Sequence, residues 1–135
     1  MQNNAYQAYN ASNISVESPQ KLVLMLYEGV LRFISRAKKA IIENNIQDKV
    51  LYINKTSAIF MELSNSLDMS QGDVSYYLKG LYGREIARLI EANIKNDPKL
   101  LDEVVNVTRE LIAAWNDVTK PDEAQKTQLA KARER

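Results

Sequence analysis

Apolar residues recur at alternating intervals of three and four positions in four separate stretches of the chain, which is the spacing of one face of an α-helix. Ser18-Pro19 opens the first stretch, because serine caps a helix and proline suits its first turn. Asn44-Asn45 closes it. Its apolar line consists of Val23, Leu26, Val30, Phe33, Ala37 and Ala40, with a second line at Leu24, Tyr27, Leu31, Ile34 and Ile41.

The other three stretches follow the same pattern. A second helix is predicted from Gln47 or Asp48 to Met69, a third from Asp73 to Lys95, and a fourth after Asn96-Asp97-Pro98, ending at Pro121. The third presents Val74, Tyr77, Leu78, Leu81, Tyr82, Ile86, Leu89 and Ile90 on one side, and the fourth presents Leu101, Val104, Thr108, Leu111, Trp115 and Val118.

Four helices of similar length with short linkers predict one architecture. Short linkers make successive helices antiparallel neighbours. The fold class is therefore all-α, an antiparallel up-down-up-down four-helix bundle over residues 18–120. Only 4 glycines and 3 prolines in 135 residues agree with long, uninterrupted helices.

The two ends of the chain differ in composition from the bundle. Residues 1–17 are rich in Asn and Gln, carry no charged side chain before Glu17, and include Tyr6, Tyr9 and Ile14. They predict a flexible arm whose apolar side chains can cover a groove. Residues 121–135 are polar and predict a tail that is a marginal or frayed helix.

Composition excludes most kinds of enzyme. The chain has no His and no Cys, so no imidazole triad, thiol nucleophile, His- or Cys-ligated metal site or disulfide is available. The acidic residues fall mainly between the apolar lines, where solvent exposure is the usual outcome. We therefore expect no catalytic residues, no metal and no cofactor.

Charge and hydropathy narrow the range of partners and of location. A net charge of +1 disfavours a nucleic-acid binder. The longest apolar run, residues 22–27, is too short to insert into a membrane, and no signal peptide is visible. We therefore expect a cytoplasmic protein.

Glycine and tyrosine are the unusual features of the pattern. Gly80 and Gly83 lie inside the third helix, where each costs about 1 kcal/mol relative to Ala. They indicate either tight packing within the bundle or a groove for a partner helix. Of the adjacent Tyr76 and Tyr77, which point about 100° apart, one at most can be fully in the core. Tyrosine is enriched where proteins meet proteins.

Several motifs, in order, resemble one family. They are Asn4-Ala5-Tyr6 with Tyr9, Ser18-Pro19-x-Lys21-Leu22, Met25-Leu26-Tyr27-Glu28-Gly29, Leu78-x-x-Leu81-Tyr82, Ala92-Asn93 and Ala114-Trp115. Together they resemble the flagellar export chaperone family FliS over roughly residues 4–118.

The resemblance implies a partner and a function. Such chaperones bind the disordered C-terminal region of flagellin in the cytosol, prevent its premature polymerisation and assist its delivery to the export apparatus. The export gate and other flagellar regulators or co-chaperones are further partners in this reading. The resemblance also implies that the arm gives way to flagellin.

The binding groove is expected along the first, third and fourth helices. Its predicted lining residues are Leu22, Leu26, Tyr27, Tyr76, Leu81 and Tyr82, and the displaceable arm contributes Tyr6, Tyr9 and Ile14. The alternative is a generic helical adaptor for protein–protein interaction without specificity for flagellin.

Overall fold

A computed structural model describes residues 18–119 of the chain, and these residues form four long helices and one short one. The helices are α1 (Pro19–Ile42), α2 (Ile46–Asn65), α3 (Asp73–Lys95) and α4 (Pro98–Thr119), with a 3₁₀ turn at Met69–Gln71 between α2 and α3. In these residues, each helix packs on two others, α1 on α2 and α4, and α3 on α2 and α4. The prediction of an all-α four-helix bundle is confirmed.

Capping residues fix the helix ends, and of those described here the sequence predicts Ser18 in that role. The Ser18 hydroxyl accepts a hydrogen bond from the Lys21 amide at 3.1 Å, at the start of α1. Asn45 caps α2 in the same way, its side-chain oxygen accepting from the Asp48 amide at 3.1 Å. At the end of α3, Asn96 adopts the left-handed conformation with φ of 50°. Such a residue ends a helix sharply, so the linkers stay short.

The second helix is shorter than predicted. It ends at Asn65 rather than at Met69. The Asp68 carboxylate accepts a hydrogen bond from the Ser70 amide at 3.0 Å, which stabilises a turn in place of a further turn of α2. Gly72 follows with φ of 76°, a conformation that only glycine adopts at low cost, and it starts α3.

A continuous apolar core runs along the centre of the bundle. The α1 line is confirmed at Leu26, Val30, Ala37 and Ala40, which are buried, while Val23 and Phe33 are half-buried. The largest fully buried side chains elsewhere are Phe60, Ile59, Tyr82, Leu89 and Leu101.

Buried polar groups in this core have partners. The Lys49 ammonium donates hydrogen bonds to the Asn96 side-chain oxygen at 2.6 Å and to the Asn93 carbonyl at 3.1 Å. It therefore ties the start of α2 to the C-terminal end of α3, where a positive charge also matches the helix dipole. Glu85 accepts two hydrogen bonds from Arg88, whose Nε also approaches Glu103 on α4 at 3.1 Å.

The predicted lines on α3 and α4 are wrong at four positions. Val74, Tyr77 and Ile90 on α3 and Val118 on α4 are exposed. Their spacing places them beside core residues, but no other helix of residues 18–119 covers them. Three of these four residues, Val74, Tyr77 and Val118, line the same groove.

Candidate functional site

An apolar groove lies at the end of the bundle where α1 begins and α4 ends. One lobe, with a volume of about 490 Å³, lies among the start of α1, the end of α2 and the start of α3. The second lobe, of about 380 Å³, lies between α3 and α4. Both lobes are lined by Tyr27, Val74, Leu78 and Trp115, so we treat them as one site, the Trp115 groove.

The walls of the Trp115 groove are the exposed residues that helical spacing assigns to the core. Val74, Tyr77 and Val118 are 65%, 63% and 79% exposed, although all three are large and apolar. Leu111 and Leu78 are half-buried beside them. A contiguous apolar surface of this kind on a monomer is typical of a binding site for a partner.

Trp115 fixes the geometry of the groove. Its indole Nε1 donates a hydrogen bond to the backbone carbonyl of Gln20 at 2.9 Å, which joins the end of α4 to the first turn of α1. The indole ring is half-buried and contributes to both lobes. Its one polar atom is thus satisfied by the backbone, and the rest of the ring remains available for apolar contact.

A pair of tyrosines forms the floor. The hydroxyls of Tyr27 on α1 and Tyr82 on α3 lie 2.7 Å apart in a buried hydrogen bond across the bundle. Burial raises the pKa of both hydroxyls, so both are neutral below strongly alkaline pH. The Tyr82 ring also packs against Phe60, with ring centroids 6.0 Å apart. The floor is therefore rigid and uncharged.

The polar groups at the rim are few. In the lobe beside α1 they are Ser66, Asp68 and Gln71, with Ser75 buried beside them, and between α3 and α4 the charged residue is Glu110. Hydrogen bonds from the Ser70 hydroxyl and amide hold the pKa of Asp68 below its ordinary value, so its carboxylate is ionised at neutral pH. Both carboxylates favour a partner that places cationic or polar side chains at this rim.

The predicted site residues divide into three groups. Leu22, Leu26, Tyr27 and Tyr82 line the lobe beside α1, and Tyr27 and Leu81 line the lobe between α3 and α4. All but Leu22 are buried, so they form the floor rather than exposed walls. The arm residues Tyr6, Tyr9 and Ile14 lie outside the described residues.

Tyr76 requires a correction. It lies on the outward face of α3, 65% exposed, and its neighbour Tyr77 lines the groove in its place. One residue turns a helix by about 100°, so only one of two adjacent tyrosines can face α4. Sequence reasoning also left out Trp115 and Val118. The Ala114-Trp115 motif and the last position of the α4 line were the available signals.

A larger cavity of about 550 Å³ lies between α1 and α4 at the other end of the bundle. The Lys38–Asp102 ion pair crosses it, and Lys39, Glu43 and Arg109 also line it. Because solvated ionic side chains surround this cavity, the Trp115 groove is the better candidate for binding an apolar partner. Within residues 18–119 no group of acidic side chains is arranged to hold a metal ion.

Comparison with known proteins identifies the family. The family model for flagellar protein FliS matches residues 1–122. The chain belongs to the FliS family. It is 51% identical over 120 residues to the flagellar secretion chaperone FliS of Campylobacter jejuni, covering 87% of this chain and 94% of that protein.

More distant FliS proteins are less identical but also align over most of the chain. Identity is 34% over 108 residues to the flagellar secretion chaperone FliS of Vibrio cholerae, covering 79% of each chain. It is 32% over 119 residues to the protein of the same name from Bacillus subtilis, covering 88% of this chain and 89% of that protein. The family resemblance found in the motifs is therefore confirmed, and with it a role as a flagellar export chaperone. None of the helices within residues 18–119 has the length and apolar character to cross a membrane.

Proposed function

We propose that the Trp115 groove binds amphipathic helical segments from the C-terminal region of flagellin in the cytosol. Binding there keeps these segments from polymerising and holds them for delivery to the export apparatus. The observation that carries the proposal is the set of large apolar side chains, Val74, Tyr77 and Val118, left exposed around Trp115. A helix laid into a groove with its apolar face inward is a common recognition mode.

The shape and chemistry of the groove suit such a ligand. Its two lobes meet at Trp115, so the bound segment can run over the start of α1 and continue between α3 and α4. A segment that folds on binding loses conformational entropy, and a long apolar contact offsets this loss. The neutral tyrosine floor supplies apolar area without the cost of desolvating a charge.

Intrinsic fluorescence offers a direct test, because Trp115 is the single tryptophan of the chain. Titrating full-length, tryptophan-free flagellin should shift the Trp115 emission, since the ligand removes water from the indole ring. Flagellin lacking its C-terminal segment should produce no shift. Undiminished binding of the truncated flagellin would contradict the proposal and favour the generic adaptor.

A matched pair of variants tests the position of the site. Val118→Lys places a charge on the wall of the groove, while Met61→Lys places one on an exposed apolar position of α2. Both residues are exposed, so both variants should fold. We expect Val118→Lys to weaken flagellin binding at least tenfold and Met61→Lys to leave it unchanged. Equal effects would remove the groove from the proposal.

The arm of residues 1–17 is the proposed competitor for the groove, through Tyr6, Tyr9 and Ile14. The support is positional, since α1 starts at Pro19 and Pro19 itself lines the lobe beside α1. Deleting residues 1–16 should raise the affinity for flagellin or leave it level. A large loss would show that the arm contacts flagellin directly. Docking of the loaded chaperone at the export gate, and any co-chaperone, would follow this binding step.

A further inference from the structure

Two stretches without acidic residues lie side by side in α1 and α2. Residues 29–42 of α1 and residues 49–61 of α2 contain no Asp or Glu, whereas the whole chain has 17 acidic residues against 18 basic ones. The two helices are antiparallel neighbours, so these stretches pack against each other. They carry the cationic residues Arg32, Arg36, Lys38, Lys39, Lys49 and Lys55. Basic residues are therefore concentrated in this part of a chain whose net charge is only +1.

Aromatic rings and cations alternate where the two stretches meet, in a cluster that we name the cation–aromatic seam: Phe33, Arg36, Tyr52 and Lys55. The rings of Phe33 and Tyr52 stack, with centroids 6.1 Å apart and planes inclined by 27°. The Arg36 guanidinium lies 5.4 Å from the Tyr52 ring centroid, and the Lys55 ammonium lies 5.5 Å from the Phe33 ring centroid. Each helix thus supplies one ring and one cation, and each cation lies over the ring of the other helix.

The two cations of the seam have no acidic partner in the part of the chain that the structure describes. Neither Arg36 nor Lys55 forms an ion pair with Asp or Glu within residues 18–119, whereas Lys38 of the same stretch pairs with Asp102. Arg36 and Lys55 are exposed, while the two rings beneath them are half-buried. Both charged groups are therefore accessible to a carboxylate from outside the bundle.

The rings hold these cations in position. A cation is attracted to the negative face of an aromatic ring, and the packing of α1 on α2 fixes both rings. Two long side chains are thereby restricted before any partner arrives, which lowers the entropy lost on binding. A contact with a ring uses one side of a guanidinium or ammonium group, and its other N–H donors remain for carboxylate oxygens.

From this arrangement we propose that the cation–aromatic seam docks an acidic helical segment of a partner protein, whose carboxylates pair with Arg36 and Lys55. Arg32 lies one helical turn before Arg36, about 6 Å along the axis, and extends the positive charge. Carboxylates four residues apart on a partner helix have the same spacing. Pairs of this kind set orientation and association rate more than affinity, so the complex is weak and sensitive to salt.

Other anionic partners fit the seam less well. Each ring has one face towards the other ring and the opposite face towards a cation, so no face is open for stacking on a nucleobase. An anionic membrane surface attracts clusters of roughly four to eight basic residues, and the seam itself has two. A carboxylate-bearing helix needs only the groups that the seam presents.

A synthetic helical peptide provides the probe for this proposal. The peptide is alanine-based and fluorescein-labelled, with glutamates four residues apart on one face, and its glutamine counterpart is the control. In fluorescence anisotropy at low ionic strength, the full chain should bind the glutamate peptide at least tenfold more tightly than the glutamine peptide. In NMR spectra of the full chain, the amide shifts should centre on residues 32–36 and 52–55. Equal binding of the two peptides, or shifts centred elsewhere, would overturn the proposal.

Two double variants with the same loss of charge test the position of the site. Arg36→Gln/Lys55→Gln should weaken binding of the glutamate peptide at least tenfold. Lys79→Gln/Arg84→Gln removes two exposed cations from α3 and should change it less than twofold. Tyr52→Leu keeps both cations but removes one ring, and should weaken binding about threefold because Arg36 is no longer held. Similar losses in both double variants, or wild-type binding by Tyr52→Leu, would contradict the proposal.

Flagellin binding separates the seam from the Trp115 groove. Arg36→Gln/Lys55→Gln should bind flagellin as the wild type does, and Val118→Lys should bind the glutamate peptide as the wild type does. Loss of flagellin binding in the seam variant would assign the seam to flagellin and overturn the proposal. Tighter binding of a single-stranded RNA or of phosphatidylserine vesicles at the seam than of the peptide would also overturn it. Loss of flagellin binding in Val118→Lys alone bears only on the groove.

Discussion

The Tyr27–Tyr82 pair gives a prediction whose sign depends on whether one or both hydroxyls are removed. Tyr82→Phe would leave the Tyr27 hydroxyl buried without its 2.7 Å partner, and Tyr27→Phe would do the same to Tyr82. An unsatisfied buried hydroxyl costs about 1–3 kcal/mol. We expect each single variant to lose that much unfolding free energy.

The double variant should be much less destabilised than the sum of the singles. With both hydroxyls gone, no buried polar atom lacks a partner, and the Phe60 contact is kept by the ring at position 82. Replacing both partners of a buried hydrogen bond by apolar groups is nearly neutral. The unfolding free energy of the double variant should therefore be within about 1 kcal/mol of the wild-type value, which gives a coupling energy of roughly 1–6 kcal/mol.

Urea unfolding followed by far-UV circular dichroism gives the unfolding free energies of the wild type, the two single variants and the double variant. These four values can be compared when the proteins share the same m-value. Flagellin binding by the double variant serves as the control, because the floor of the groove keeps its shape and its neutrality. Additive losses would refute the reasoning, since they would mean that each hydroxyl is satisfied independently of the other.

Three further predictions concern stability. Lys49→Met should cost about 1–3 kcal/mol in urea unfolding, because it removes the cap on the C-terminal end of α3, whereas Lys39→Met, at a side chain 74% exposed, should stay within about 0.5 kcal/mol. Burial raises the folded-state pKa of Glu85 above its ordinary value of 4.5. The stability that protonated Glu85 contributes is therefore complete below pH 4.5 and is lost as the pH rises through the raised pKa. Glu85→Gln should abolish this pH dependence of stability, which thermal melts across the same pH range would measure. Gly72→Ala should destabilise the fold by about 1–3 kcal/mol because of its positive φ, while Gly80→Ala should stabilise it by up to about 1 kcal/mol; equal signs would contradict this account.

Local sequence rules were sufficient to predict the number and order of the four long helices. Ser18-Pro19 and Asn96-Asp97-Pro98 marked helix starts because capping depends on residues two or three apart. The α2 boundary failed because two local signals competed. The periodic pattern continued to Leu67, but the Asp68 side chain stabilised a turn at Ser70 instead.

Coverage of a helix face by its neighbours could not be read from spacing. Val74, Tyr77 and Val118 have the period of core residues, yet α3 and α4 do not close over them at the groove end. The Tyr27–Tyr82 bond joins residues 55 positions apart, so no local rule reveals it. The glycines of α3 were noticed for their cost, but only the geometry showed that they face outward.

The indole–carbonyl bond between Trp115 and Gln20 has a consequence for the design of fusion proteins. An even number of antiparallel helices returns the chain to the end at which it started, so Pro19 and Val118 both line the groove. A sequence joined to the bundle directly at either of these ends would therefore start beside the bound ligand. The Asn44–Asn45 and Asn96–Asp97 linkers, at the far end of the bundle, are the places where an inserted reporter would stay clear of the ligand.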